Sequence, residues 1–178
     1  MLKTTLVIAT LMLTGCASLN DSLTPNLTIE KDKFEGYLVI SQPVVSSSSS
    51  ISEDWHTLGF TWYEDVPKSV YLTVGVKGIQ NVQRVSFNID GDIIKGVKAG
   101  YLTSYGEWST GRFYMDIDDF NILSKGKNVK MKVESIDEYT VSSFGTLNTG
   151  ATVNSKFIPF IEQLIKHKAL NDTIAYNQ

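Results

Sequence analysis

The clearest pattern in the chain is alternation. Val129, Met131 and Val133 alternate with Lys130, Lys132 and Glu134. Successive side chains of a β-strand point to opposite faces, so this stretch predicts a strand with one buried and one solvated face. The same period recurs in residues 69–76, where Val70, Leu72, Val74 and Val76 share a side. It recurs in residues 82–89 through Val85, Phe87 and Ile89, and again where Phe113, Met115 and Ile117 alternate with Arg112, Tyr114 and Asp116. Residues 55–63 carry aromatics on both faces, with His56, Leu58, Phe60 and Trp62 on one and Trp55, Thr57, Thr61 and Tyr63 on the other. A central strand covered on both sides would read this way. Residues 34–41 predict a strand, with Leu38 and Ile40 on one face and Pro43 ending it.

The breaks between these runs are equally regular. Asp90-Gly91 suits a tight hairpin turn into a return strand over residues 92–98. Asp137-Glu138 joins the strand at residue 129 to one over residues 139–144. The serine run at residues 46–50 has nothing to bury and predicts a mobile loop. Asp118 or Asp119 is the expected N-cap of a short helix near 119–125, with Phe120 and Leu123 inward and Gly126 as its stop. Phe157, Phe160, Ile161, Leu164 and Ile165 recur at helical spacing, opposite Glu162, Gln163, Lys166 and Lys168. Pro159 belongs in or near the first turn of that helix, which sets its start near residues 154–156. Antiparallel signals dominate and no βαβ alternation is present. The expected fold is mainly β: an antiparallel β-sandwich or strongly bent sheet, with the short helix near 119–125 and a C-terminal amphipathic helix packed on the sheet.

The first residues follow a different rule. Met1 to Lys3 is a brief positive segment, and an apolar run through Leu6, Val7, Ile8, Leu11, Met12 and Leu13 follows it. Gly15 and Cys16 close the run. This is the layout of a secretory signal, and it is shorter than the roughly 20 apolar residues of a membrane span. Leu13-Thr14-Gly15-Cys16 resembles the lipobox of bacterial lipoproteins. The resemblance implies that the Cys16 thiol carries diacylglycerol, that cleavage makes Cys16 the first residue, and that its amine is commonly acylated too. Two or three acyl chains give stable anchoring where one is marginal. Ala17, rather than Asp, follows the cysteine, which in the family implies the outer membrane, with the domain in the periplasm or at the cell surface. The expected division is a removed signal over residues 1–15, a lipidated polar tether over 16–33 able to donate a first short strand around Leu27 to Ile29, one β-rich domain over 34–169 and a polar tail over 170–178.

Composition narrows the function. The net charge is −3, and loss of Lys3 with the signal makes it −4. A mildly acidic chain with dispersed Lys and Arg argues against a nucleic-acid partner. Cys16 is the single cysteine, so its lipidation leaves no disulfide and no thiolate for zinc. No cofactor motif is present.

Candidate chemistry is sparse. A Ser-His-Asp arrangement would need His56 or His167, and Glu53, Asp54 and Glu64 could pair with His56. The sequence 106–111 has one residue too many for a nucleophile elbow. Asp116, Asp118 and Asp119 offer oxygen ligands at short spacing, as do Asp90 and Asp92, but neither group fits a calcium-loop pattern. Residues 100–111 hold Tyr101, Tyr105 and Trp108 among three glycines and are the expected ligand or partner contact. The competing expectation is that Tyr101 and Trp108 fold back as core anchors with Leu102 inward. The sequence predicts a lipid-anchored, non-catalytic binding or accessory subunit of an envelope assembly, whose partner is an envelope protein or cell-wall component. Carbohydrate or peptidoglycan binding through residues 100–111 is the alternative, and a hydrolase using His56 ranks below it.

Overall fold

The computed structural model describes residues 24–50, 53–100, 102–146 and 150–170. Cys16, Tyr101 and residues 171–178 lie outside them. Nine strands form one antiparallel sheet: β1 (Thr28–Lys31), β2 (Leu38–Ser46), β3 (His56–Tyr63), β4 (Ser69–Lys77), β5 (Arg84–Ile89), β6 (Asp92–Lys98), β7 (Trp108–Asp116), β8 (Val129–Glu134) and β9 (Tyr139–Ser143). Their order across the sheet is β1-β2-β3-β4-β7-β6-β5-β8-β9. Among the described residues two helices complete the fold, α1 (Ile117–Lys125) and α2 (Asn154–Lys166). The mainly β class, the bent sheet and both helices follow the hydrophobic pattern.

The sheet bends at β6. This strand pairs with β5 over five positions but with β7 only through Val97↔Tyr114 and Lys98↔Phe113. A Cβ on Gly96 would lie 2.7 Å from Val85 Cγ1 and 3.3 Å from Phe113 Cβ, so glycine lets the two halves fold toward each other here. Leu58, Phe60, Leu72 and Phe113 from one half join Val85, Phe87, Met131 and Val133 from the other in one core. Phenylalanines link the halves through α2. Phe60 stacks on Phe157 at 5.2 Å and meets Phe160 at 4.8 Å and Phe120 at 5.2 Å. Phe144 lies 6.2 Å from Phe157 and 6.4 Å from Phe87. The β5–β6 turn uses Asp90 (φ 54°) and Gly91 (φ 113°), two positive-φ residues whose twist matches that of the strands they join.

Several expectations change. Phe34 is 94 % exposed in a turn, where the Asp32 carboxylate accepts the N–H groups of Phe34 and Glu35. The strand starts at Leu38 and continues through Pro43 to Ser46. Pro43 is tolerated because β1 begins opposite Ser41, leaving that side of β2 unpaired beyond it, and because the register with β3 shifts between Gln42 and Val45. The short strand expected from the tether around residues 27–29 is β1, which runs from Thr28 to Lys31. Leu170, assigned to the tail, is buried in the core.

The serine run is not a free loop. Ser47 is buried, Ser48 Oγ donates to the Asp54 carbonyl at 2.6 Å and accepts the His56 N–H, and Ser49 N–H donates to the Ser143 carbonyl. The Ser48 hydroxyl here replaces partners that a strand neighbour would supply. Ile51 and Ser52 lie outside the described residues.

The N-cap of α1 is Asp116, not Asp118 or Asp119. Its Oδ1 accepts the Asp118 N–H at 2.9 Å. Strand β7 runs straight into the helix, so the last outward carboxylate of the strand becomes the cap. Asp116→Ala is expected to cost about 1 kcal/mol of stability, and Asp118→Ala a few tenths, in paired urea unfolding curves.

Candidate functional site

The residues that gather into a site face away from the core. Strand alternation that buries Trp62, Val70, Leu72, Phe113 and Met115 turns Tyr63, Tyr71 and Tyr114 to the outer face. Pairing sets Tyr71 directly opposite Tyr114 and next to Thr61. Tyr37, just before β2, completes the row. The ring centroids are 6.3 Å apart for Tyr37–Tyr63, 5.3 Å for Tyr63–Tyr71 and 6.0 Å for Tyr71–Tyr114. The first two pairs meet edge to face, at 74° and 85°, so the rings form walls rather than a flat platform.

Arg112 leans into this row. Its guanidinium sits 5.6 Å from the Tyr71 ring centroid, and Nη2 donates to the Tyr63 hydroxyl at 3.0 Å. Asp65 and Val66, from the turn between β3 and β4, form the rim. Together Tyr37, Tyr63, Asp65, Val66, Tyr71 and Arg112 line an open cleft of about 320 Å³. Among the described residues Arg112 forms no ion pair, and the Asp65 carboxylate has no hydrogen bond. The cleft thus holds unspent donors and unspent acceptors side by side. Burial, and then the Asp32 and Asp65 carboxylates, push the Tyr37 phenol above its ordinary range, so it stays protonated.

The expected aromatic loop lies elsewhere. Tyr105 is 55 % exposed, and Trp108 opens β7 partly buried on the outer face. Leu102 is 90 % exposed, which overturns its inward placement. Ser104 and Thr110 exchange backbone hydrogen bonds at 2.9 and 2.8 Å, closing the loop at its base. Ser109 Oγ pins that base by donating to the Gly78 carbonyl and accepting the Gln80 N–H. Trp108 pairs with Lys77, whose ammonium lies 5.7 Å from the Trp55 ring centroid. This second aromatic group sits at the opposite end of β7 from Tyr114.

His56 has become a crosslink. Nδ1 lies 2.8 Å from Ser142 Oγ and Nε2 2.7 Å from Thr140 Oγ1, at a position 1 % exposed. Burial lowers the imidazole pKa from 6.5 to about 4, against the opposing pull of Asp54 and Glu53. The neutral ring donates from one nitrogen and accepts from the other, tying β3 to β9. The expected acidic partners are engaged with backbone. Asp54 Oδ2 accepts the Val141 N–H at 3.0 Å, Glu53 Oε2 the Ser143 N–H at 3.1 Å, and Glu64 Oε2 the Leu38 N–H at 2.7 Å. Of the two hydroxyls on the ring, Ser142 is fully buried, and Thr140 is partly buried. His167 lies exposed at the end of α2.

The carboxylate groups also serve the fold. Asp90 accepts the N–H groups of Lys127 and Asn128, which lowers its pKa. Asp119 is held above the carboxylate range by burial, then by Asp116 and Asp118. Among the described residues no three His, Cys, Asp or Glu side chains converge as a metal site.

The tyrosine cleft carried no motif. Its residues come from the approach to β2, from β3, β4 and β7, and from one turn. The available signal was the outward tyrosine beside an inward apolar residue at positions 63, 71 and 114. Comparison with protein-family models, curated proteins and solved structures finds no match for this chain.

Proposed function

We propose that the protein is a lipid-anchored lipoprotein of the bacterial outer membrane whose β domain is a non-catalytic binding module, with the tyrosine cleft as its binding surface. The anchor rests on Leu13-Thr14-Gly15-Cys16 and on Ala17 after it. The binding role rests on one observation: Arg112 is held over an aromatic ring without a counter-ion, in a cleft it shares with an uncommitted Asp65. Tyrosine and arginine are the residues that most often dominate recognition surfaces. Cleft and anchor together describe an accessory subunit that holds one envelope component at the membrane.

Two measurements test this. Cys16→Ser is expected to abolish incorporation of radiolabelled palmitate and to release the chain from the membrane fraction. A variant that stays labelled and membrane-bound refutes the anchor. A photocrosslinking residue in place of Tyr71 is expected to capture a partner in cells, and Arg112→Ala to remove that product. Crosslinks indifferent to Arg112 refute the cleft as the binding surface.

A further inference from the structure

We infer that the ligand is an extended carbohydrate chain, the amino-sugar glycan strand of the cell wall, lying along the outer face of β4 and β7 from the tyrosine cleft to Trp108. This rests on the cleft being the binding surface and adds the class of ligand.

The face has the length and relief of a polymer track. Tyr114 and Trp108 both point outward from β7, six residues apart, a distance on the order of 20 Å along a strand. That span fits a few pyranose units. Between the two aromatic ends, the outward positions are Arg112 and Thr110 on β7 and Thr73 and Gly75 on β4. Apart from the arginine these are small, and a side chain on Gly75 would collide with Thr57 Oγ1. The floor is low and lined with hydroxyls, while the ends carry rings. Pairing of Tyr71 with Tyr114, and of Lys77 with Trp108, keeps both ends on the same two strands.

The chemistry suits a pyranose. One face of a sugar ring is made of C–H groups and stacks on an aromatic side chain, while its edge presents hydroxyls that need both donors and acceptors. The cleft supplies ring walls from Tyr37, Tyr63 and Tyr71, an acceptor in Asp65 and donors in Arg112. A hydrophobic protein anchor would leave both charges buried without partners, at high cost. The unpaired guanidinium also suits the acyl and carboxylate oxygens that cell-wall sugars carry. The molecule is acidic as a whole, so attraction to an anionic polymer has to come from such a local cation.

The test is titration calorimetry of the full chain in detergent with β-1,4-linked N-acetylglucosamine oligomers, alongside pull-down on purified peptidoglycan sacculi. The tetrasaccharide is expected to bind about tenfold more tightly than the disaccharide. Tyr71→Ala should weaken both by about tenfold or more, whereas Trp108→Ala should weaken only the tetrasaccharide. Trp108→Phe, which retains a ring, should restore part of that loss, and unchanged thermal melts of the variants exclude unfolding as the cause. Retention on sacculi should fall with Tyr71→Ala and Arg112→Ala. The inference is overturned by absence of binding to oligomers and sacculi alike, or by binding indifferent to Tyr71 and Arg112. If sugars do not bind but Arg112→Ala still removes an in-cell protein crosslink, the glycan falls and the binding surface stands. If Arg112→Ala changes neither, both fall.

Discussion

Phe60→Ala is expected to lower the unfolding free energy by about 3–5 kcal/mol, the range for a buried phenylalanine truncated in a packed core. Phe60 contacts rings from both helices, stacking on Phe157 with planes 7° apart and meeting Phe120 and Phe160 edge to face. Those rings are fixed by two helices, so collapse into the vacated space is restricted and the cost should approach the upper end. Urea unfolding at neutral pH measures it. Phe34→Ala is the matched control, because the exposed turn around Phe34 gives it little to lose, and its midpoint should move by no more than about 0.5 kcal/mol. Equal losses at the two positions would mean that the phenylalanine cluster does not hold the halves of the sheet together.

Mild acid is expected to weaken the fold through His56. In the unfolded chain this imidazole titrates at its ordinary 6.5, and in the folded protein at about 4. Above the first value it is neutral in both states. Between them only the unfolded chain binds the proton, so stability falls as pH drops through this window. Integrated over the window, the loss is on the order of 3 kcal/mol, complete near the folded pKa. Protonation would also turn both ring nitrogens into donors and break a pattern that needs one acceptor. Denaturant midpoints across pH 7.5 to 4.5 should therefore decline with a slope that His56→Gln removes. The glutamine variant should be weaker at neutral pH, by about 1–3 kcal/mol, because Ser142 and Thr140 lose well-placed partners. A wild-type slope unchanged in that variant would place the acid sensitivity in other groups.

Much of the sheet was readable from alternation, and the exceptions have physical causes. Strands β4, β5 and β8 have one buried and one solvated face, so period two marks them directly. Residue 34 and Pro43 misled because aromatic content and a proline are local signals, whereas the start and continuation of β2 depend on where β1 stops pairing. Serines 47–49 look featureless in one dimension, yet they lie against Asp54, His56 and Ser143, contacts made only in the folded chain. Asp116 was read as a strand residue and is also the cap of α1, because strand and helix share a boundary without a loop. The tyrosine cleft was hardest to see. Tyr71 and Tyr114 are cross-strand neighbours only because β7 lies next to β4, a crossover that no spacing encodes. His56 was visible as a residue of interest, but its role changed once both ring nitrogens met hydroxyls from β9.

The cover on β9 carries a consequence for assembly. Val141 and Ser143 would offer outward N–H groups to any incoming strand, but Asp54 and Glu53 already accept them, and Ser49 occupies the Ser143 carbonyl. An edge filled in this way cannot template a further strand. The opposite edge, β1, is four exposed residues long and carries Glu30 and Lys31, which makes it a poor template too. Copies crowded on a single membrane, as the proposed lipid anchor would place them, meet at high local concentration. Their sheets would nevertheless not zip edge to edge into a continuous array.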